Sequence, residues 1–202
     1  MKIIGLTGSI GMGKSVTASM LQRMGYPVFD SDLAVHKLLA PYGAAFQTVA
    51  LSFPECWDAK KHLIDRQKLG RIVFADSSKR KELEDILHPL VWWQQKKFIQ
   101  ESIARGAKIA VLDIPLLFET GSQRKCDAVI CVDSPHFIQR QRVLFRPNMD
   151  EDHFYAILSR QMPQFEKKKL SDYILQTGLG YAHTLRHLKK IIANLTRDIN
   201  RP

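Results

Sequence analysis

Cysteine is scarce in this 202-residue chain, and Cys56, Cys126 and Cys131 form neither an even set nor a CxxC pair. That argues against a disulfide framework and gives no support to a zinc site. Thiols of this kind fit a reducing, cytoplasmic setting. Cys131 lies inside an apolar run and reads as a small core residue. No apolar stretch approaches the roughly 20 residues of a membrane-spanning helix, so no membrane partner is expected. The opening run Ile3-Ile4-Gly5-Leu6 is too short for the apolar part of a secretory signal and enters a glycine-rich loop. Internal repeats and low-complexity tracts are missing too. Acidic residues are the minority charge, 20 Asp and Glu against 30 Lys and Arg, for a formal net charge of +10. That excess points to anionic partners, whether phosphorylated small molecules, nucleic acid or acidic surfaces, without choosing among them. The basic residues are spread along the chain, with one run at Lys167–Lys169 whose expected fate is a solvated face.

What is present is a core-forming chain, 45% hydrophobic. At this length it is expected to fold as one domain with embedded subdomains and to bury roughly 70% of its unfolded surface. Short apolar runs at 2–6, 27–29, 109–112, 128–132 and 173–175 read as strands. Between them lie helical patterns. Residues 16–24 stop at Gly25, and Asp32 or Asp30 caps a helix reaching Leu39. The whole of 42–106 reads as helical. Asp65 caps one helix there, and Ser77 or Ser78 caps a longer one bearing Leu83, Ile86, Leu87, Leu90 and Val91 on one face. Pro135 suits the first turn of another helix. Tyr181–Leu195 is amphipathic, with Leu185, Leu188, Ile191, Ile192 and Leu195 on one side. Apolar strands alternating with helices imply an α/β fold, a parallel sheet with helices on both faces. Ligands of such sheets bind beyond the carboxyl ends of the strands.

One such end carries Gly8-Ser9-Ile10-Gly11-Met12-Gly13-Lys14-Ser15, a full match to G-x-x-x-x-G-K-[ST] with a strand before and a helix after. Its glycines let backbone N–H groups converge on phosphate oxygens, and the new helix adds its positive end. Lys14 is placed to reach the β- and γ-phosphates, and the Ser15 hydroxyl to bind Mg²⁺.

The loop alone leaves kinases, GTPases, motors and helicases open. No N-K-x-D guanine motif occurs, and the chain is short for a transporter or helicase ATPase. A small-metabolite kinase needs a group that orients the acceptor hydroxyl, positive charge for the transferring phosphoryl, and a segment that closes over both. Asp32, in Asp30-Ser31-Asp32 after the second strand, is the candidate base, or else only a helix cap. Asp113 ends the third strand and either helps place Mg²⁺ or serves as a turn residue. Pro115, Leu116, Leu117 and Phe118 form either core or a wall against the substrate. Arg140 and Arg142 fall on the helix after Asp133, and Arg146 and Arg160 flank the polar Pro147–Ser159 segment, from which arginines can approach phosphates if it closes as a lid.

Taken together these residues resemble the dephospho-CoA kinase family along nearly the whole chain. Ile4–Ser15 is similar to GLTGGIGSGKS, Asp30-Ser31-Asp32 to DAD, and Val73-Phe74 with Leu87-His88-Pro89 to VF…LHP. Asp113–Glu119 is similar to DxPLLFE, Gln139–Arg142 to QxxR, and Arg160-Gln161-Met162 to the lid end. The resemblance implies a P-loop NTPase-type three-layer fold with a helical acceptor-binding subdomain at about 33–106 and a lid at about 145–165. It implies ATP as donor, Mg²⁺, and transfer to the ribose 3′-hydroxyl of dephospho-CoA. On this pattern Gly11, Met12, Gly13, Lys14, Ser15 and Val16 hold ATP. Asp32, Lys14 and Arg142 are catalytic. Thr7, Asp32, His88, Pro115 and Leu116 meet the acceptor, with His88 equally readable as a structural histidine. Arg146 and Arg160 belong to the lid, and Ser15 and Asp113 to the metal. Ser9, Ser31, His36 and Thr177 depart from common family residues. No nucleic-acid partner is expected, and the chain is expected to be a monomer or weak homo-oligomer. Another small-metabolite or nucleoside monophosphate P-loop kinase is the alternative within the same chemistry; a basic nucleic-acid-binding ATPase is the alternative outside it.

Overall fold

A computed structural model of the chain describes residues 1–58 and 60–199. The chain forms two compact units, residues 1–29 with 101–202, and residues 30–100.

The first unit is built on a sheet of β1 (Lys2–Thr7), β2 (Val28–Asp30), β5 (Ile109–Asp113), β6 (Ala128–Asp133) and β7 (Tyr173–Gln176), in the spatial order β2-β5-β1-β6-β7. The pairings of β1 with β5 and β6, and of β6 with β7, are parallel. Leu6 lies opposite both Asp113 and Ile130, and Asp133 opposite Gln176, so these strands finish along one edge. Every residue of β5 and β6 is buried, which explains why these strands read as unbroken apolar runs rather than alternating ones. On one face Ile4, Leu6, Val111 and Ile130 pack with Met20 and Leu21 of α1 (Lys14–Arg23) and with Leu188, Ile191 and Leu195 of α9 (Tyr181–Ile199). The stripe expected on α9 is therefore core. On the other face an added Cβ at Gly5 would lie 3.0 Å from Cys126 and Leu117, and the side chain of Gln164 reaches Cys131. This face is served by α8 (Gln164–Lys169); α6 (His136–Leu144) and α7 (Glu151–Leu158) precede it in the chain.

The second unit holds α2 (Ser31–Leu38), α3 (Phe46–Ser52), α4 (Arg66–Ala75) and most of α5 (Ser77–Ala104). Asp65 caps α4 as expected, its carboxylate accepting from the N–H groups of Gln67 and Lys68. Two other caps resolve or differ. Asp30 caps α2 by accepting from Leu33 N–H at 2.9 Å, and Asp32 lies in the first turn. At α5 the acceptor is Asp76, whose Oδ1 accepts from the N–H groups of both Ser78 and Lys79, rather than Ser77 or Ser78; one carboxylate oxygen carries more than one lone pair and so answers two orphan donors. The stretch expected to be wholly helical also contains an antiparallel hairpin, β3 (Trp57–Asp58) with β4 (Leu63–Ile64). Two-residue strands are too short to carry a period-2 pattern. Among the described residues no helix is long and apolar enough to cross a membrane.

Candidate active site

The loop after β1 turns through Gly8, Gly11 and Gly13 with φ of 153°, 78° and 92°. At Gly11 the requirement for glycine is twofold. The backbone is left-handed, and a Cβ would stand 2.6 Å from Val143 Cγ2 and 2.9 Å from the Gln139 carbonyl. Gly13 is the N-cap of α1 and contributes no side-chain bond, and the first turn carries no acidic residue. The helix thus presents its leading N–H groups and its positive end without a built-in acceptor, the arrangement that suits an anion.

Side chains from four other segments hold this loop. Gln139 of α6, 2% exposed, donates Nε2 to the Ile10 carbonyl at 2.8 Å. Arg142, one turn further on, donates Nη1 to Gly11 O at 3.4 Å, and to Thr177 through Nη1 at 3.1 Å and Nη2 at 2.8 Å. Thr177, just past β7, donates its hydroxyl to Met12 O at 2.7 Å. Gln161 and Gln164 accept from Ile10 and Ser9 N–H at 3.0 and 3.2 Å. A loop fixed from outside in this way keeps its donors aimed before ligand arrives.

Lys14 crosses to the neighbouring strand end, where its Nζ donates to Asp113 Oδ1 at 2.7 Å; the side chains are 15% and 3% exposed. Ser15 and Val16 are exposed. Beyond Asp113 the apolar segment is only partly buried. Leu117 and Phe118 are core, whereas Leu116 is 41% exposed. The Pro115 carbonyl accepts from Thr7 Oγ1 at 3.1 Å and from Lys167 Nζ at 3.0 Å.

The expectation of a solvated Lys167–Lys169 face holds for Lys169, which is exposed, and is overturned for Lys167 and Lys168. Lys167 is 0% exposed, paired with Glu119 at 2.8 Å, and Lys168 reaches Asp133 at 3.1 Å. Both answer carboxylates at the ends of buried strands or just past them, which a count of charges along the sequence does not reveal. Glu119 also accepts from Met162 N–H at 2.8 Å, so this node joins the segment after β5 to the segment before α8.

Arg146 and Arg160 are exposed, following α6 and α7. Arg140 pairs with Glu151. The polar 145–165 segment contains α7 and the start of α8. Burial pushes the Cys131 thiol up to about 11, helped by the charge of Asp133, and the Cys126 thiol up to about 12, helped by Asp127; neither is poised as a nucleophile. Asp32 and His88 belong to the second unit. Asp32 is exposed, and the His88 ring stacks on Trp92, one turn along α5, with centroids 6.0 Å apart.

The phosphate loop, its lysine paired with a strand-end aspartate, and the parallel sheet beneath define a P-loop kinase. The dephospho-CoA kinase family profile matches residues 2–181. A dephospho-CoA kinase of Mesorhizobium japonicum is 46% identical over 195 residues, covering 96% of this chain and 97% of that one. A solved structure from Thermus thermophilus superposes with a TM-score of 0.81 at 34% identity, covering 96% and 97%. A dephospho-CoA kinase from Campylobacter jejuni gives 0.71 at 26%, covering 97% and 98%. The chain belongs to the dephospho-CoA kinase family.

Sequence reasoning singled out Thr7, Lys14, Asp113, Pro115 and Arg142, and the structure places them at the loop or the adjoining strand end in three separate contacts, Lys14–Asp113, Thr7–Pro115 and Arg142–Gly11. It did not find Gln164 and Lys167. Their spacing of three on one short helix was the available signal, masked by the surrounding run of charge.

Proposed function

We propose that the protein transfers the γ-phosphate of ATP to the ribose 3′-hydroxyl of dephospho-CoA, giving CoA and ADP. The observation that carries this reading is the Lys14–Asp113 pair at the mouth of a braced phosphate loop that leads into a helix with no side-chain cap, in a chain of this family. Backbone N–H groups from Gly11 to Val16 and the Lys14 ammonium hold the triphosphate. Ser15 and Asp113 offer the hard oxygen donors that Mg²⁺ favours. The ion, when bound, neutralises phosphate charge.

Asp32 orients the 3′-hydroxyl and takes its proton. The hydroxyl oxygen forms the new bond to the γ-phosphorus, the bridging P–O bond breaks, and ADP leaves with its electron pair. Capping of α2 by Asp30 supports this assignment, because the carboxylate two residues on is then not the helix cap. Arg142 adds positive charge to the loop it braces. Arg146 and Arg160, in the 145–165 lid, neutralise the developing transition-state charge. Residues of about 33–106 receive the acceptor, with His88 among them. Thr7, Pro115 and Leu116 contribute from the strand ends. The positive net charge suits two phosphorylated substrates.

An acceptor panel with ATP tests the assignment. ADP formation should be fastest with dephospho-CoA and the product should co-migrate with CoA. Faster turnover of a nucleoside monophosphate would replace this reading with its nearest rival.

A further inference from the structure

The two glutamines that reach the loop from the segment before and at the start of α8 are held differently. Gln164 uses its whole amide. Oε1 accepts from Ser9 N–H, while Nε2 donates to Val132 O at 2.8 Å and Asp133 Oδ1 at 3.1 Å. Those bonds fix which way the amide faces. Gln161 has only the contact from Ile10 N–H to Oε1 at 3.0 Å recorded for its amide among the described residues, and it is half-buried. A backbone N–H can only donate, so the atom facing it is the oxygen.

Phosphate-loop N–H groups converge on phosphate oxygens. An amide oxygen 3.0 Å from one of them therefore stands beside a place where a phosphate oxygen is drawn. Ile10 is meanwhile held through its carbonyl by Gln139, so the loop does not follow Gln161 if that side chain turns. The terminal torsion of glutamine is broad and roughly two-fold, so a half-turn that exchanges oxygen for nitrogen meets little resistance.

Resting on the phosphate-loop reading above, we propose that Gln161 recognises the terminal phosphate of the bound triphosphate. Its amide turns, releases Ile10 N–H to a γ-phosphate oxygen, and donates Nε2–H to the same group. A diphosphate lacks that group and leaves the Gln161–Ile10 bond as it stands. Gln161 thus contributes to discrimination between donor and product, and it ties the lid-end segment to the presence of a transferable phosphate.

Calorimetric titration of the full chain with ADP and with the non-hydrolysable β,γ-imido analogue of ATP, without acceptor, tests this. Gln161→Ala should weaken the triphosphate analogue about tenfold, the scale of one hydrogen bond to a charged group, and leave ADP nearly unchanged. Gln161→Glu keeps an acceptor for Ile10 N–H but turns a repulsive oxygen toward phosphate. It should fold as the parent does and lose more triphosphate affinity than Gln161→Ala. Equal weakening of both nucleotides in Gln161→Glu, or no change in either, overturns the inference. Failure of the unsubstituted chain to bind any nucleotide would instead overturn the phosphate-loop reading itself.

Discussion

Lys167 has none of its side chain exposed, and its ammonium is shared between Glu119 and the Pro115 carbonyl. A buried ammonium is tolerated only when paired and hydrogen-bonded, and removing one partner strands the other. Lys167→Met should therefore lower unfolding free energy by about 3 kcal/mol, read from urea denaturation. Adding Glu119→Gln, which keeps an acceptor for Met162 N–H, should recover part of that loss. A single variant as stable as the parent would show that the pair contributes nothing. At the chemistry itself, Asp32→Asn should leave ATP affinity intact and lower turnover roughly 10²-fold or more, the scale of lost general-base assistance. Steady-state kinetics beside nucleotide titration separate the two effects, and near-normal turnover removes Asp32 from the mechanism. Lys14→Ala should impair both binding and rate, since one ammonium serves the phosphates in ground and transition states alike.

Among the elements, the start of α5 offers a direct comparison. Asp76 accepts from two N–H groups there, so Asp76→Ala should destabilise by about 1 kcal/mol, while Ser77→Ala and Ser78→Ala should change little; the reverse ranking in thermal or urea unfolding would return the cap to a serine. Capping is also where the sequence was legible only in part. Asp65 stood alone before its helix and was found at once. Near α2 and α5 several competent caps sat side by side, and the choice depended on backbone angles that residue names do not fix. The β3–β4 hairpin was invisible because two residues make no period, whereas β5 and β6, buried on both faces, announced themselves as apolar runs ending in Asp113 and Asp133. The phosphate loop was legible because its spacing follows from phosphate geometry. Its outer brace was not, since Gln139, Gln161, Gln164 and Thr177 meet the loop only after strands and helices far apart in sequence are packed.

At the scale of the whole molecule, the buried thiols link folding to alkaline pH. Burial raises Cys126 and Cys131 from 9.0 to about 12 and about 11. The unfolded chain gives up these protons near 9, and the folded chain holds them longer. Their contribution to stability is complete below pH 9 and is lost as pH rises through 11 and 12. Cys131→Ala should therefore show a shallower decline of unfolding free energy between pH 9 and 11, measured by urea denaturation at stepped pH. Parallel declines in parent and variant would show that this thiol is not held protonated by the fold.

The same packed sheet that buries the Cys131 thiol carries Asp113 and the phosphate loop with Lys14 to one edge, and from that edge the proposed phosphoryl transfer proceeds. The most direct measurement is ADP release with dephospho-CoA set against its 3′-deoxy analogue as sole acceptor. One ADP per dephospho-CoA consumed, with the deoxy analogue inert, is the predicted result. ADP release that proceeds equally with the analogue, or with no acceptor present, would contradict transfer to the 3′-hydroxyl.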